Sequence, residues 1–139
     1  MRLEERDHRS LVLWATECAE HVLPYFEEKY PKDNRPRNAV EAGRAWARGE
    51  IAMSASAVAA HAAARAADQA AARAAGHAAA TAHVAAHAAH AANYAVTAAT
   101  DAAEVPTDSA TATTKERDWQ YRRLPKHLQP VAFPTRGNN

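Results

Sequence analysis

The alanine-rich segment from residue 54 to residue 103 constrains the fold more than any other feature of the sequence. Alanine accounts for 39 of the 139 residues, and most of them lie in this segment. Alanine has the highest helix propensity of all residues, and no proline occurs between Pro36 and Pro106. Four glycines and few β-branched residues argue against a sheet. The sequence therefore predicts an all-α fold.

The length of this segment argues against one continuous helix. At 1.5 Å per residue, a helix over 54–100 would be about 70 Å long, more than a domain of this size can cover. Asp68 and Gln69 interrupt the alanines. We therefore predict a break near 67–70 and two long, antiparallel, alanine-rich helices whose small side chains allow close packing.

The large apolar side chains are concentrated before this segment. One helical stripe has apolar residues spaced by three or four, the pattern of an amphipathic helix: Leu11, Trp14, Ala15, Cys18, Val22 and Phe26. Pro24 predicts a kink or a new helix start, and the helix should end by Pro31. Cys18 lies on the stripe, so we expect a buried, inert thiol.

A second helix is predicted over about 36–48, because Asp33 or Asn34 can cap it and Pro36 suits its first position. Gly43 would allow a neighbouring backbone to come close, and Gly49 favours a left-handed stop. Four arginines lie on or just before this helix, and we expect them to form ion pairs with nearby acids such as Glu41 and Glu50: Arg35, Arg37, Arg44 and Arg48.

The chain is predicted to be a single-domain helical bundle of about five helices. Its core should span 1–104. Proline, serine and threonines predict a flexible linker over 105–114, followed by a short docking helix over 115–128 and an irregular tail over 129–139.

Charge and hydropathy exclude several classes of protein. The chain has 17 Lys and Arg against 16 Asp and Glu, so nothing directs it to nucleic acid or an acidic membrane surface. The alanine-rich segment is too weakly apolar to span a bilayer. The N-terminus is charged, and the apolar run 11–15 is too short for a signal peptide. A single cysteine excludes an intramolecular disulfide. We expect a cytoplasmic protein.

Histidines give the alanine-rich segment its candidate site. His83, His87, His90 and Tyr94 fall on one face of a helix, because they are three or four residues apart. His61 and Arg65 repeat this spacing in the preceding predicted helix. These six residues are our candidate ligand-binding residues.

Three interpretations of the histidine stripe are open. It forms a solvated polar helix face, or one wall of a ligand groove in which imidazoles exchange protons near neutral pH, or a zinc site built on an i, i+4 pair. The metal interpretation is the weakest, because the segment 54–103 has no glutamate or cysteine to complete the ligand set. We expect no cofactor and assign no catalytic residue.

Four segments resemble a known family: 34–51, 74–94, 17–27 and 116–125. They read NRPRNAVEAGRAWARGEI, AAGHAAATAHVAAHAAHAANY, ECAEHVLPYFE and ERDWQYRRLP. They are similar to an all-α family of small bacterial proteins known as putative immunity proteins. The resemblance covers most of the chain and implies a helical fold. It supplies no catalytic residues.

The resemblance favours a non-enzymatic binding protein that sequesters a toxic partner protein or a toxic small molecule. The alternative is a small-molecule enzyme or metal-dependent protein that uses a histidine-lined groove between the alanine-rich helices. Exposed alanine faces can also pair between chains, so a homo-oligomer stays open.

Overall fold

A computed structural model describes residues 4–65, 70–82, 85–102 and 106–133. These residues form seven α-helices and one 3₁₀ turn, with no strand in the described ranges. The helices are α1 Glu5–Lys29, α2 Arg35–Ala47, α3 Met53–Ala64, α4 Ala70–Ala80, α5 His87–Ala102, α6 Pro106–Arg123 and α7 Gln129–Ala132, with the 3₁₀ turn Lys126–Leu128 before α7. The all-α prediction is confirmed, but the helices are more numerous than the five expected.

The described residues of the alanine-rich segment form three helices, α3, α4 and α5, rather than the two that were predicted. The predicted break near 67–70 falls largely on residues 66–69, which lie outside the described residues; α3 ends at Ala64 and α4 begins at Ala70. A second break follows Ala80. There the carbonyl of buried Thr81 accepts a hydrogen bond from Nε2 of His8 on α1, at 2.6 Å. The carbonyl of Thr81 is therefore bonded to a side chain that is distant in sequence, and α4 ends at the preceding residue, Ala80.

Helix α4 lies at the centre of the bundle and packs against α1, α2, α3 and α5. Its buried residues are almost all alanine: Ala71, Ala72, Ala74, Ala75, Ala78 and Ala79, with Gly76. Ser56, near the start of α3, donates a hydrogen bond to the carbonyl of Ala79, near the end of α4, at 2.8 Å. The two helices therefore run antiparallel, as predicted for the alanine-rich pair.

Helix α1 supplies most of the large apolar side chains of the core. Every residue of the predicted stripe is at most 2% exposed, which confirms that prediction. The helix continues through Pro24, so of the two predicted alternatives, a kink or a new start, the new start does not occur. Pro24 is exposed. The helix therefore loses one amide donor at the solvent side, and the buried stripe carries on to Phe26.

Helix α2 approaches its neighbours closely at Gly43, as predicted. A Cβ atom added there would lie 2.7 Å from Cγ2 of Thr16 on α1, and 3.6 Å from both the carbonyl oxygen of Ala78 and the Cα of Ala79 on α4. Gly49, just after α2, has φ of 78°, which confirms the left-handed stop.

Residues 106–114 of the predicted linker over 105–114 are helical, because α6 begins at Pro106; residue 105 lies outside the described residues. Proline suits the first turn of a helix. The carboxylate of Asp108 in that turn interacts favourably with the positive end of the helix dipole. The hydroxyls of Thr113 and Thr114 donate to the carbonyls of Ser109 and Ala110, at 2.9 and 3.1 Å. These two threonines thus satisfy their hydroxyls within the helix, which composition alone did not indicate.

The C-terminal elements pack on the bundle. Nε1 of Trp14 donates to the backbone carbonyl of Gln120 at 2.9 Å, and the side-chain amide of Gln120 donates to the carbonyl of Ala92 at 2.9 Å. The tail over 129–139 is not irregular throughout, because 129–132 form α7. Phe133 contacts the ring of Trp14 edge-on. No helix in the described ranges has the length and hydropathy needed to cross a membrane.

Gly43→Ala should destabilise the bundle by about 1–3 kcal/mol, because the new methyl group overlaps Cγ2 of Thr16. Urea unfolding followed by circular dichroism measures this. The double variant Gly43→Ala with Thr16→Ser removes the clashing methyl group but keeps the hydroxyl, and it should recover much of the lost stability relative to Thr16→Ser alone. Equal losses in both backgrounds would contradict the close approach.

Candidate functional site

A concave space of about 370 Å³ opens between α3, α4 and the start of α5. We call it the histidine groove. It is lined by three histidines, one arginine and four very small residues: His61, His77 and His87, with Arg73, and Ala57, Ala60, Gly76 and Ala80. Its volume lies in the range of about 300–1,000 Å³ that is usual for small-ligand sites.

The antiparallel packing of alanine-rich helices forms this groove. Arg73 and His77 are four residues apart on α4 and therefore share a face, while His87 begins α5. The facing positions of α3 are Ala57, Ala60 and His61. The alanines and the glycine leave space between the helices, and the longer side chains beside them provide the polar groups.

Two imidazoles of the groove are hydrogen-bonded to each other. Nδ1 of His77 lies 2.9 Å from Nδ1 of His87. One nitrogen must donate and the other must accept, so both rings cannot be protonated while the bond lasts. The pair therefore holds at most one positive charge.

His77 is enclosed by aromatic and cationic groups. Its ring stacks on Tyr94 of α5 with centroids 5.3 Å apart and planes 9° apart, and it lies 5.1 Å from the ring of His90. The guanidinium of Arg73 lies 5.7 Å from the Tyr94 ring centroid. Burial, then the nearby His87, His90 and Arg73, lower the pKa of His77 to about 4. His77 is therefore neutral at pH 7.

The structure brings together some of the six predicted residues. His61 and His87 line the groove, and His90 and Tyr94 contact His77 from α5. Arg65 is exposed at the end of α3 and donates to the carbonyl of His61 at 3.2 Å, so it does not line the groove. His83 lies outside the described residues.

The sequence reasoning missed Arg73 and His77 as site residues. Both lie in α4, and their i, i+4 spacing is the same as that of His61 and Arg65. This repeated spacing was the available signal. Which face of α4 meets the histidines of α5 depends on the break after Ala80, and the sequence did not reveal that break.

The described residues contain no group of three or more histidine, cysteine, aspartate or glutamate side chains arranged to hold a metal ion. Cys18 is completely buried, as predicted. Burial, followed by the nearby Glu116 and Glu17, raises the pKa of its thiol well above the usual value. The thiol is therefore protonated at neutral pH and unsuited to nucleophilic attack.

The arginines at α2 form ion pairs, which confirms that prediction. Arg37 pairs with Glu27 at 2.8 Å and with Glu20 at 3.3 Å, and Arg44 also contacts Glu20. The other three pairs join residues close in sequence: Arg35 with Asp33 at 2.7 Å, Arg44 with Glu41 at 3.2 Å, and Arg48 with Glu50 at 3.0 Å. These guanidinium groups are neutralised by carboxylates of the chain itself.

The outward side of α3 next to the groove has an unusual composition. None of the twelve residues of Met53–Ala64 is Asp, Glu, Lys or Arg. We call four of its residues the α3 outer face: the exposed Ser54, Ala55 and Val58, of which Val58 is 69% exposed, and the half-buried Ala62. A surface helix usually presents charged residues to water, and depletion of charge is typical of the centre of a protein interface.

A family model described as "Imm-5 like putative immunity protein" matches residues 1–127 of the chain. The match extends from α1 through α6 and most of the 3₁₀ turn. It confirms the family resemblance that the sequence segments indicated. Searches of curated proteins and of solved structures gave no significant match.

Acid should destabilise the protein through His77. The pKa of His77 is about 4 in the fold and 6.5 when unperturbed, so the unfolded chain binds more protons between these values. The stabilising contribution of the neutral His77 ring is fully present above pH 6.5 and is lost as the pH falls toward 4. The groups facing His77 are Arg73 on α4, and His87, His90 and Tyr94 on α5.

The His77→Asn variant tests this contribution. Between pH 6.5 and 4, the free energy of unfolding of the wild type should fall by about 1–2 kcal/mol more than that of the variant, after allowance for partial solvent exposure. Urea unfolding at several pH values measures it. His61→Asn, which replaces the exposed histidine of the same groove, should follow the wild type. Parallel pH profiles for wild type and His77→Asn would contradict the assignment.

Proposed function

This chain belongs to the Imm-5-like family of putative immunity proteins, and on that basis we propose that it is a non-enzymatic immunity protein that sequesters a toxic partner protein. The observation that carries the proposal is the family match over residues 1–127, which includes nearly the whole helical bundle. An immunity protein acts by occupying its partner. The properties that matter for this function are a preformed surface and its complementarity to the partner protein.

The α3 outer face supports a protein as the partner. Burying charged side chains without partners is costly, so surfaces that become buried in a complex have few of them at their centre. The α3 outer face offers exposed Val58 and small residues over about two helical turns, with no charge to desolvate. The neighbouring α2 carries the Arg44–Glu41 pair, and Arg48 and Glu50 pair just after it, which suits a polar rim.

The bundle behind this face supports binding without large rearrangement. Ser56, on the opposite side of α3, is completely buried and hydrogen-bonded to α4. Ala60 and Ala63 of the same helix belong to the buried core. A helix fixed in this way loses little conformational freedom when it binds, which favours affinity.

The groove chemistry supports binding over catalysis. A catalytic histidine is usually oriented by a carboxylate and placed beside a nucleophile or a substrate proton. His77 instead bonds to a second imidazole, and none of the eight residues that line the described groove is acidic or bears a hydroxyl or thiol.

Co-expression tests the proposal. The chain should protect cells from a toxic protein encoded beside its gene, and native mass spectrometry of the purified pair should show a stoichiometric complex. Val58→Arg places a charge in the α3 outer face and should weaken the complex at least about tenfold. Leu13→Arg is the matched control, because Leu13 is also a partly exposed apolar residue, 41% exposed, on a different helix.

Other outcomes contradict the proposal in distinct ways. Protection without a complex, accompanied by chemical change of the toxin, would indicate an enzyme. If Val58→Arg and Leu13→Arg weaken the complex equally, or if neither variant weakens it, the α3 outer face is not the contact surface. A dimer of the chain alone that Val58→Arg dissociates would show that a second copy occupies this face.

A further inference from the structure

We propose that His21 is an acceptor site for a phosphoryl group, which becomes bonded to Nε2 of its imidazole ring. His21 lies on α1 and lines a concave space of about 400 Å³ between α1 and α6, which we call the α1–α6 cleft. The other lining residues all belong to α6: Lys115, Glu116, Asp118, Trp119 and Arg122. The cleft shares no residue with the α3 outer face, so the proposal stands whether or not the chain sequesters a toxin.

The imidazole of His21 is bonded to a buried carboxylate. Its Nδ1 lies 3.0 Å from Oε2 of Glu116, and Glu116 is 6% exposed. An ionised carboxylate only accepts hydrogen bonds, so Nδ1 carries the proton. In the singly protonated ring the lone pair is therefore on Nε2, the nitrogen that attacks an electrophile. The carboxylate also raises the basicity of the ring and stabilises the positive charge that the ring gains as it attacks.

The ring of His21 is held in one orientation and stays accessible. It stacks on Trp119 with centroids 3.7 Å apart and planes 10° apart, and the guanidinium of Arg123 lies 4.6 Å from the Trp119 ring centroid. The side chain of His21 is nevertheless 40% exposed. No residue in the described ranges forms a hydrogen bond to its Nε2. A nucleophile that is already oriented meets its reaction partner at a lower entropic cost.

Two cationic side chains of the cleft suit the oxygen atoms of a phosphoryl group. Lys115 and Arg122 are seven residues apart on α6 and therefore share a face of the helix. Phosphoryl oxygens accept charge-assisted hydrogen bonds from ammonium and guanidinium groups. The carboxylate of Asp118 lines the same cleft and opposes these charges. The bond to Nε2 is therefore what holds the group, and the two cations assist its transfer.

Phosphoramidate, a small phosphoryl donor with a phosphorus–nitrogen bond, is a suitable probe. The lone pair of Nε2 forms a bond to phosphorus while the phosphorus–nitrogen bond of the donor breaks. The leaving nitrogen departs as ammonia, which takes up a proton from water. The ring becomes cationic and keeps its Nδ1–H bond to Glu116, and no atom is oxidised or reduced. In a cell the step needs a donor of this class, a phosphoramidate or an acyl phosphate.

At pH 7, phosphoramidate should phosphorylate His21 at least about tenfold faster than His127. Peptide mass spectrometry locates the group, and ³¹P NMR distinguishes the Nε2 isomer expected at His21 from the Nδ1 isomer. His127 is the internal control because its side chain is more exposed, 63% against 40%, and is also paired with a carboxylate. Its Nε2 is the bonded nitrogen, 2.9 Å from Asp7, so its lone pair is on the more hindered Nδ1.

Three variants separate the contributions. Glu116→Gln keeps an acceptor for Nδ1 but removes the negative charge, and it should slow phosphorylation of His21 about tenfold. Lys115→Gln and Arg122→Gln should each slow phosphorylation at least about threefold, and should leave the reaction of His21 with diethyl pyrocarbonate, an uncharged electrophile, unchanged. Lys126→Gln is the matched control, because Lys126 is exposed and does not line the cleft, and it should change neither rate. Circular dichroism spectra check that the variants fold.

Three results would overturn the proposal. The first is no phosphorylation of His21, or equal rates at His21 and His127, which would mean that exposure alone decides the rate. The second is an unchanged rate in folded Glu116→Gln, which would remove the role of the carboxylate. The third is that Lys115→Gln and Arg122→Gln react with phosphoramidate as fast as Lys126→Gln, in which case the cleft has no preference for a phosphoryl group.

Discussion

The contact of small side chains around α4 is the interaction on which the rest of the bundle depends. Helix α4 touches four other helices, and its buried side chains do not extend beyond Cβ. Close approach of backbones replaces the interlocking of large residues that most helix pairs use. The large apolar side chains come mainly from α1, and Gly43 of α2 completes the same close-packed centre. Small changes of volume there are poorly tolerated, since nearby backbone atoms have little room to move.

This packing also explains why the groove is polar. The other groove-lining residues are alanine or glycine, so the polar groups of the groove all come from the four longer side chains: Arg73, His61, His77 and His87. Imidazole suits such a place because it is small, can act as donor and acceptor, and becomes neutral at low cost when partly buried. The hydrogen bond between Nδ1 of His77 and Nδ1 of His87 requires that at least one of the two rings be neutral.

The sequence predicted the parts of the fold that depend on local pattern. The apolar stripe of α1, the close approach at Gly43 and the stop at Gly49 follow from spacing and backbone preference, and all three are present. The second break in the alanine-rich segment did not follow, because it involves His8, which is distant in sequence from Thr81. The first half of α6 was predicted to be a linker because of its threonines, yet the hydroxyls of Thr113 and Thr114 bond to backbone carbonyls within the helix. The candidate site was half predicted for the same reason: His61 and His87 follow from spacing, whereas the role of His77 depends on how α4 meets α5.

The hydrogen bond from His8 to the carbonyl of Thr81 has a consequence for how the groove comes into being. It joins residues separated by 73 positions, so it cannot form until α1 has met the end of α4. Before that meeting, the alanines on both sides of Thr81 favour continuation of the helix. We therefore expect a partly synthesised or unfolded chain to carry His77 and His87 on separate turns of helical or disordered backbone. The groove is then a property of the completed bundle, and it takes shape only once α1 is in place.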